Sequence, residues 1–164
     1  MLLSPDVARE RLRELDDPVA IERPPDLDEQ ALEARFVAPV SALSRAFCCE
    51  REVDAGIVQV QDAAFYGTVC VPVEATRSGG QLVVRVSNFG LLAVYDLELF
   101  GAYDTEEREQ LLDHVDVELL ETCLADTGHE SVPIDLLWSR YDGASTCFSS
   151  DPAPTWFARF FDWV

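Results

Sequence analysis

The stretch that most constrains this chain is residues 81–100, QLVVRVSNFGLLAVYDLELF. It divides into two runs, 81–87 and 91–97, joined by Ser87-Asn88-Phe89-Gly90. Density in Val, Leu and Tyr suits strands, and the Asn and Gly between the runs suit a tight turn. Both runs are nearly continuous in apolar residues: Leu82, Val83, Val84 and Val86, then Leu91, Leu92, Ala93, Val94 and Tyr95. A strand that is apolar on both sides is central or covered on both faces. The rest of the chain must supply that cover as helices.

Upstream, residues 65–75 (FYGTVCVPVEA) read as a third strand with Val69, Val71 and Val73 on one face. Pro72 lacks a ladder donor, so this strand is expected at an edge or bulged there. Residues 57–60 suit a short further strand. Arg77-Ser78-Gly79-Gly80 is a hairpin loop, and strands with connections this short form an antiparallel meander. Helix signals flank the meander. Ser4-Pro5-Asp6 combines an N-cap, a first-turn proline and an acid at the positive end of the dipole. The helix they open runs through Leu15, and Pro24-Pro25 separates this N-terminal helical arm (1–23) from the body of the chain. A helix from Asp26 is expected to end near Ala38, where Pro39 interrupts it, with a second over 40–49. The longest helix is expected over 104–126, with Leu111, Leu112, Val115, Leu119, Leu120 and Cys123 as its apolar stripe. Trp156, Phe160 and Trp163, spaced i, i+4, i+7, suit a short helix capped by Thr155 that docks into the core. The expected fold class is α+β: one domain over 1–164, an antiparallel sheet of three to five strands packed by helices.

Charge narrows the partners. There are 31 acidic residues against 12 basic ones, every one of them Arg, and the formal net charge is −19. Such a field repels phosphate backbones and anionic head groups, so neither nucleic acid nor a membrane surface is an expected partner. It is explained either by adaptation to high salt or a GC-rich genome, or by a basic protein partner that the field steers inward. No signal peptide follows Met1-Leu2-Leu3 and no apolar run approaches the ~20 residues of a membrane span, so a soluble cytoplasmic protein is expected.

Chemistry-bearing motifs are sparse. Five Cys with no Cys-x-x-Cys signal neither a disulfide framework nor a zinc site. Cys48-Cys49 lies near Arg45 and Arg51, which would favour a thiolate, yet the pair also ends an apolar helix face where thiols are normally structural. His114 falls on the polar side of the 104–126 helix and His129 in the loop beyond it, neither at metal-ligand spacing. Nucleophile-elbow, phosphate-loop and dinucleotide motifs are missing. The sequence therefore points to no catalytic residue, no cofactor and no metal. Its most distinctive surface feature is the acidic side of the 104–126 helix, with Glu106, Glu107, Asp113, Glu118 and Glu121 as the candidate partner-binding residues.

Two segments carry a resemblance: the turn Val86-Ser87-Asn88-Phe89-Gly90-Leu91-Leu92, and the ending Tyr141-Asp142-Gly143 with Thr155-Trp156-Phe157-Ala158-Arg159-Phe160-Phe161-Asp162-Trp163. They resemble pieces of small bacterial proteins akin to the immunity proteins of polymorphic toxin systems. That resemblance implies a cytoplasmic α+β inhibitor that binds one toxin domain. The expectation is a non-enzymatic, toxin-neutralising protein docking on a basic partner. An acidic secretion chaperone or adaptor is one alternative. A small enzyme using carboxylates, or Cys48 or Cys49 with His114 or His129, is another.

Overall fold

The computed structural model describes residues 2–26, 29–49, 54–57, 63–145 and 153–162. Among them the elements run α1 (Pro5–Leu15), α2 (Glu29–Ala46), β1 (Asp54–Ile57), β2 (Phe65–Val71), β3 (Leu82–Ser87), β4 (Leu92–Leu97), α3 (Thr105–Leu111), α4 (His114–Asp126), β5 (Glu130–Ser131), α5 (Ile134–Leu137) and α6 (Trp156–Phe161). The fold is α+β, as the sequence predicts. Among the described residues the sheet has five strands in the order β1-β2-β3-β4-β5. β1 to β4 form the antiparallel meander. β5 pairs with β4 in parallel, and Leu2 bridges Ser131 beyond it. This parallel edge is absent from the sequence reading, because two residues carry no periodicity to detect.

The central hairpin is covered on both faces. Leu82, Val84, Val86, Ala93 and Leu97 pack with Phe36, Leu43, Leu120 and Leu124 of α2 and α4. Leu92 and Val94 face the other way, into Ala8 and Leu12 of α1, Ile134 and Leu137 of α5, and Trp156, Phe160 and Phe161 of α6. The period-two alternation thus splits one apolar run between two cores. In the connecting turn Phe89 is buried against Phe160, with ring centroids 5.4 Å apart. Asn88 Nδ2 donates to the carbonyls of Glu22 and Ala63.

Three expectations need correction. The helix predicted over 104–126 is two helices. Leu112 is extended, and the Asp113 side chain accepts from Val115 N at 2.8 Å, capping a new helix in place of continuing the old one. The break predicted at Pro39 does not occur, because α2 carries Pro39 inside it. Such a proline leaves the carbonyl four residues back, that of Arg35, without its helical donor. The strand predicted over 65–75 stops at Val71. Pro72 precedes a 3₁₀ turn, Val73–Ala75, and β2 lies between β1 and β3 and is no edge. Arg51, residues 58–60 and Trp163, which figure in the sequence reading, lie outside the described residues.

The N-terminal arm is joined to the body by a buried ion pair. Arg159 Nε donates to Asp16 Oδ1 at 2.7 Å, with both side chains almost wholly buried. The remaining Arg159 nitrogens donate to the carbonyls of Asp17, Ala20 and Ile21. The guanidinium lies over the Phe89 and Phe160 rings, 4.4 and 4.7 Å from their centroids. Asp16 Oδ2 accepts from Tyr141 Oη and Ala144 N, both at 2.6 Å. Burial and then the Asp16 bond push the Tyr141 phenol up to about 12. A buried charge pair is tolerable when its remaining donors and acceptors are satisfied, as they are here.

Candidate docking surface

Residues 98–139 carry twelve carboxylates and one base, Arg108. That base is buried. Its Nη2 donates to both carboxylate oxygens of Asp135 at 2.8 Å, joining α3 to α5. Thr105 Oγ1 donates to the same carboxylate. Burial opposes ionisation of Asp135, but the bonds from Arg108 and Thr105 outweigh it and hold its carboxyl below the usual range. Glu98, Asp104, Glu106, Glu107, Glu109, Glu118, Asp126 and Asp135 are all exposed. The surface built by this segment is therefore anionic, with its own cation sunk beneath it.

The structure does not bring the five candidate residues onto one helix face. Glu106 and Glu118 are exposed, on α3 and α4 respectively. Glu107 closes a capping box: its carboxylate accepts from Asp104 N at 3.1 Å while Asp104 Oδ1 accepts from Glu107 N at 2.9 Å. Asp113 is half-buried and caps α4, its own N–H donating to Ser78 Oγ across in the hairpin loop. Glu121 turns inward. Its Oε2 accepts from Ser131 Oγ at 3.1 Å, and it lies beside Tyr95, whose phenol burial and then the Glu121 charge push upward. Two of the five thus serve the fold, one is shared, and two stand free for a partner. Asp116, on the same helix, is buried and accepts from Arg77 N, Ser78 N and Ser78 Oγ.

Sequence reading missed the loop between β4 and α3. Asp96 is fully buried, and its carboxylate accepts from Leu97 N at 2.9 Å and Gly101 N at 3.1 Å. Burial pushes this carboxyl up, and the two backbone bonds offset only part of the rise. Glu98 takes a left-handed backbone conformation, φ 58°, and its carboxylate accepts from Tyr103 Oη at 3.0 Å. Gly101, φ 79°, lies so close to Trp138 that a Cβ there would come within 2.9 Å of the ring. Trp138 is 40% exposed and stacks on Phe157 with centroids 4.4 Å apart. Leu99, at the loop tip, is 73% exposed.

The residues that could have served an enzyme are dispersed. Cys48 is exposed, at the C-terminal end of α2, its Sγ 3.8 Å from Arg45 O. Cys49 is buried beside it. His129 is buried beside the backbone of Arg35, inside α2 and about 16 Å along the axis from the C-terminal end of that helix. His114 stands exposed at the start of α4. Among the described residues no three His, Cys, Asp or Glu side chains group as a metal site, and no helix is long and apolar enough to cross a membrane. No protein-family model, curated protein or solved structure matches the chain significantly.

Proposed function

We propose that this chain is a non-enzymatic, immunity-type binding protein that docks on a basic toxin domain and inhibits it. The observation that carries the reading is the charge of residues 98–139, twelve carboxylates against one buried and paired arginine. Toxin domains that act on nucleic acid need cationic grooves to hold phosphates. An anionic surface on a folded scaffold can occupy such a groove and accelerate its own encounter with it. The resemblance in the 86–92 turn and the aromatic ending supports the same reading.

The test reverses charge where the fold does not use it. Glu107 and Asp113 cap helices, so the variant is Glu106→Arg, Glu109→Arg, Glu118→Arg, all exposed positions. From a lysate of the source organism, wild-type protein retains a net-basic protein that is released by about 0.5 M salt, where exposed charges are screened. The triple variant fails to retain it. Expressed alone, the captured protein arrests its host, and co-expression of this chain restores growth. A captured protein that binds the reversed chain equally, or is harmless alone, overturns the proposal.

A further inference from the structure

The acidic surface has an apolar centre. Leu99 and Trp138 are among the exposed large hydrophobic residues, and both belong to one small unit of structure. The Trp138 ring lies against the Gly101 backbone, two residues from Leu99. The same loop carries the exposed carboxylates of Glu98 and Asp104, and α5 carries that of Asp135. Along the chain the flanking bases are Arg108, buried and held by Asp135, and Arg140, which lies past α5 where it bridges Thr155; Arg85 is half-buried beneath the patch, over Phe100 and Phe157.

This patch is held rigid. The Asp96 carboxylate fixes both ends of the 97–101 loop, and a turn closes it with Ala102 N donating to Leu99 O at 3.1 Å. Trp138 is fixed by its stack on Phe157, which is itself buried. A residue in the left-handed region such as Glu98 is strained and persists only where its surroundings over-determine it. A Trp138 ring already stacked before binding loses little entropy in a complex. Large rigid aromatics ringed by polar groups are the form that binding hot spots take.

We infer that Leu99 and Trp138 are the hot spot of the docking surface, and that its occupant is a basic protein surface presenting an apolar side chain flanked by Lys or Arg. The inference rests on the docking proposal above and adds to it where the binding energy lies. Charge identifies the occupant: Glu98 and Asp104, which have no cation paired to them among the described residues, would oppose an acidic partner and meet a basic one. The flanking cations steer and orient, and burial of the apolar pair slows dissociation.

Two synthetic peptides serve as probes, one of six lysines alternating with serine and one with leucine in place of serine. Binding is measured calorimetrically at low salt. The leucine peptide should bind wild-type protein about tenfold more tightly than the serine peptide. Leu99→Ser and Trp138→Ala should each remove most of that advantage and leave the serine peptide unchanged. Leu99 is an exposed loop tip, so its variant decides the matter should loss of the Phe157 stack unfold the other. Equal binding of both peptides by wild type, or a leucine advantage that survives Leu99→Ser, overturns the hot spot and leaves the docking proposal standing. Undiminished binding of both peptides by the Glu106→Arg, Glu109→Arg, Glu118→Arg variant overturns both.

Discussion

Beneath α2 and α4 the sheet is covered largely by aliphatic side chains, with Leu43, Val69, Val84, Leu120 and Leu124 buried together. Beneath α1, α5 and α6 it is covered largely by rings, and two arginines are sunk among them. Arg159 is held by Asp16 and three carbonyls. Arg85 donates to Phe161 O at 2.6 Å and lies over Phe65 and Phe100, 4.2 and 4.8 Å from their centroids. Burial pulls the Arg85 pKa down, and neighbouring Asp162 opposes that. The aliphatic face is stabilised by area, which is non-directional and tolerates exchange among similar volumes. The aromatic face adds directional bonds that reach the irregular segment after α1. Hydrophobic contact alone would leave that segment free to slide, and the guanidinium's bonds to three of its carbonyls fix its path.

The largest expected effect lies on the charged face. Arg159→Ala leaves Asp16 buried without its partner and should destabilise the protein by about 3–5 kcal/mol. The double variant Asp16→Leu, Arg159→Met should recover most of that loss in chemical denaturation. A double variant as unstable as the single one would show that the carbonyl bonds matter more than the charge pair. On the aliphatic face, Leu120→Ala should cost about 2–4 kcal/mol through lost transfer energy and a residual cavity. Leu120→Met should cost under ~1.5 kcal/mol. A similar tolerance at Arg159, with Arg159→Lys nearly neutral, would erase the distinction between the faces.

The aliphatic side has one acid-sensitive point. His129 Nδ1 is 3.0 Å from Thr127 Oγ1, and the buried ring lies beside the backbone of Arg35. Burial pushes its pKa down to about 4. The unfolded chain, with a pKa near 6.5, then binds the proton more readily than the folded one. Stability is full above about pH 6.5 and falls as pH drops towards 4, by at most ~3 kcal/mol. Asp96, with its raised pKa, contributes in the opposite sense, gaining stability as acid protonates it. Denaturation midpoints of His129→Gln against wild type from pH 7 to 4.5 isolate the histidine, and parallel curves would refute its role. A small effect is expected at Arg85→Met, about 1–2 kcal/mol, because methionine keeps the ring contacts and loses two hydrogen bonds, to Thr68 Oγ1 and Phe161 O.

Much of this architecture was legible because periodicity writes it. The hairpin over 81–97, the Ser4-Pro5 helix start and the Thr155 cap all depend on neighbours within four residues, and the Thr155 hydroxyl does accept from Ala158 N. The misreadings have a shared cause. Asp113 serves as an N-cap because Ser78, from a distant loop, fixes its backbone. Pro39 is tolerated inside α2 because Leu43 and Phe36 on either side of it are buried against the sheet. β5 exists because it finds β4. The acidic surface was legible as composition but not as geometry. Spacing on an assumed single helix gave Asp113 and Glu121 the same standing as Glu106, and only tertiary contacts separate them. Leu99 and Trp138 left no signal, since an exposed leucine or tryptophan reads in sequence like a buried one.

The bond between Asp16 and Arg159 spans 143 positions, so the order of synthesis fixes the order of assembly. The central hairpin closes over a few residues and can form early. α1 leaves the ribosome long before Arg159 exists, and through that interval Asp16 must remain in water, because burial unpaired would cost several kcal/mol. A segment made well before its partner is therefore among the last to lock. Until it does, Phe89, Leu92 and Val94 on the aromatic side lack α1 and α6, and that side of the sheet stays open to water.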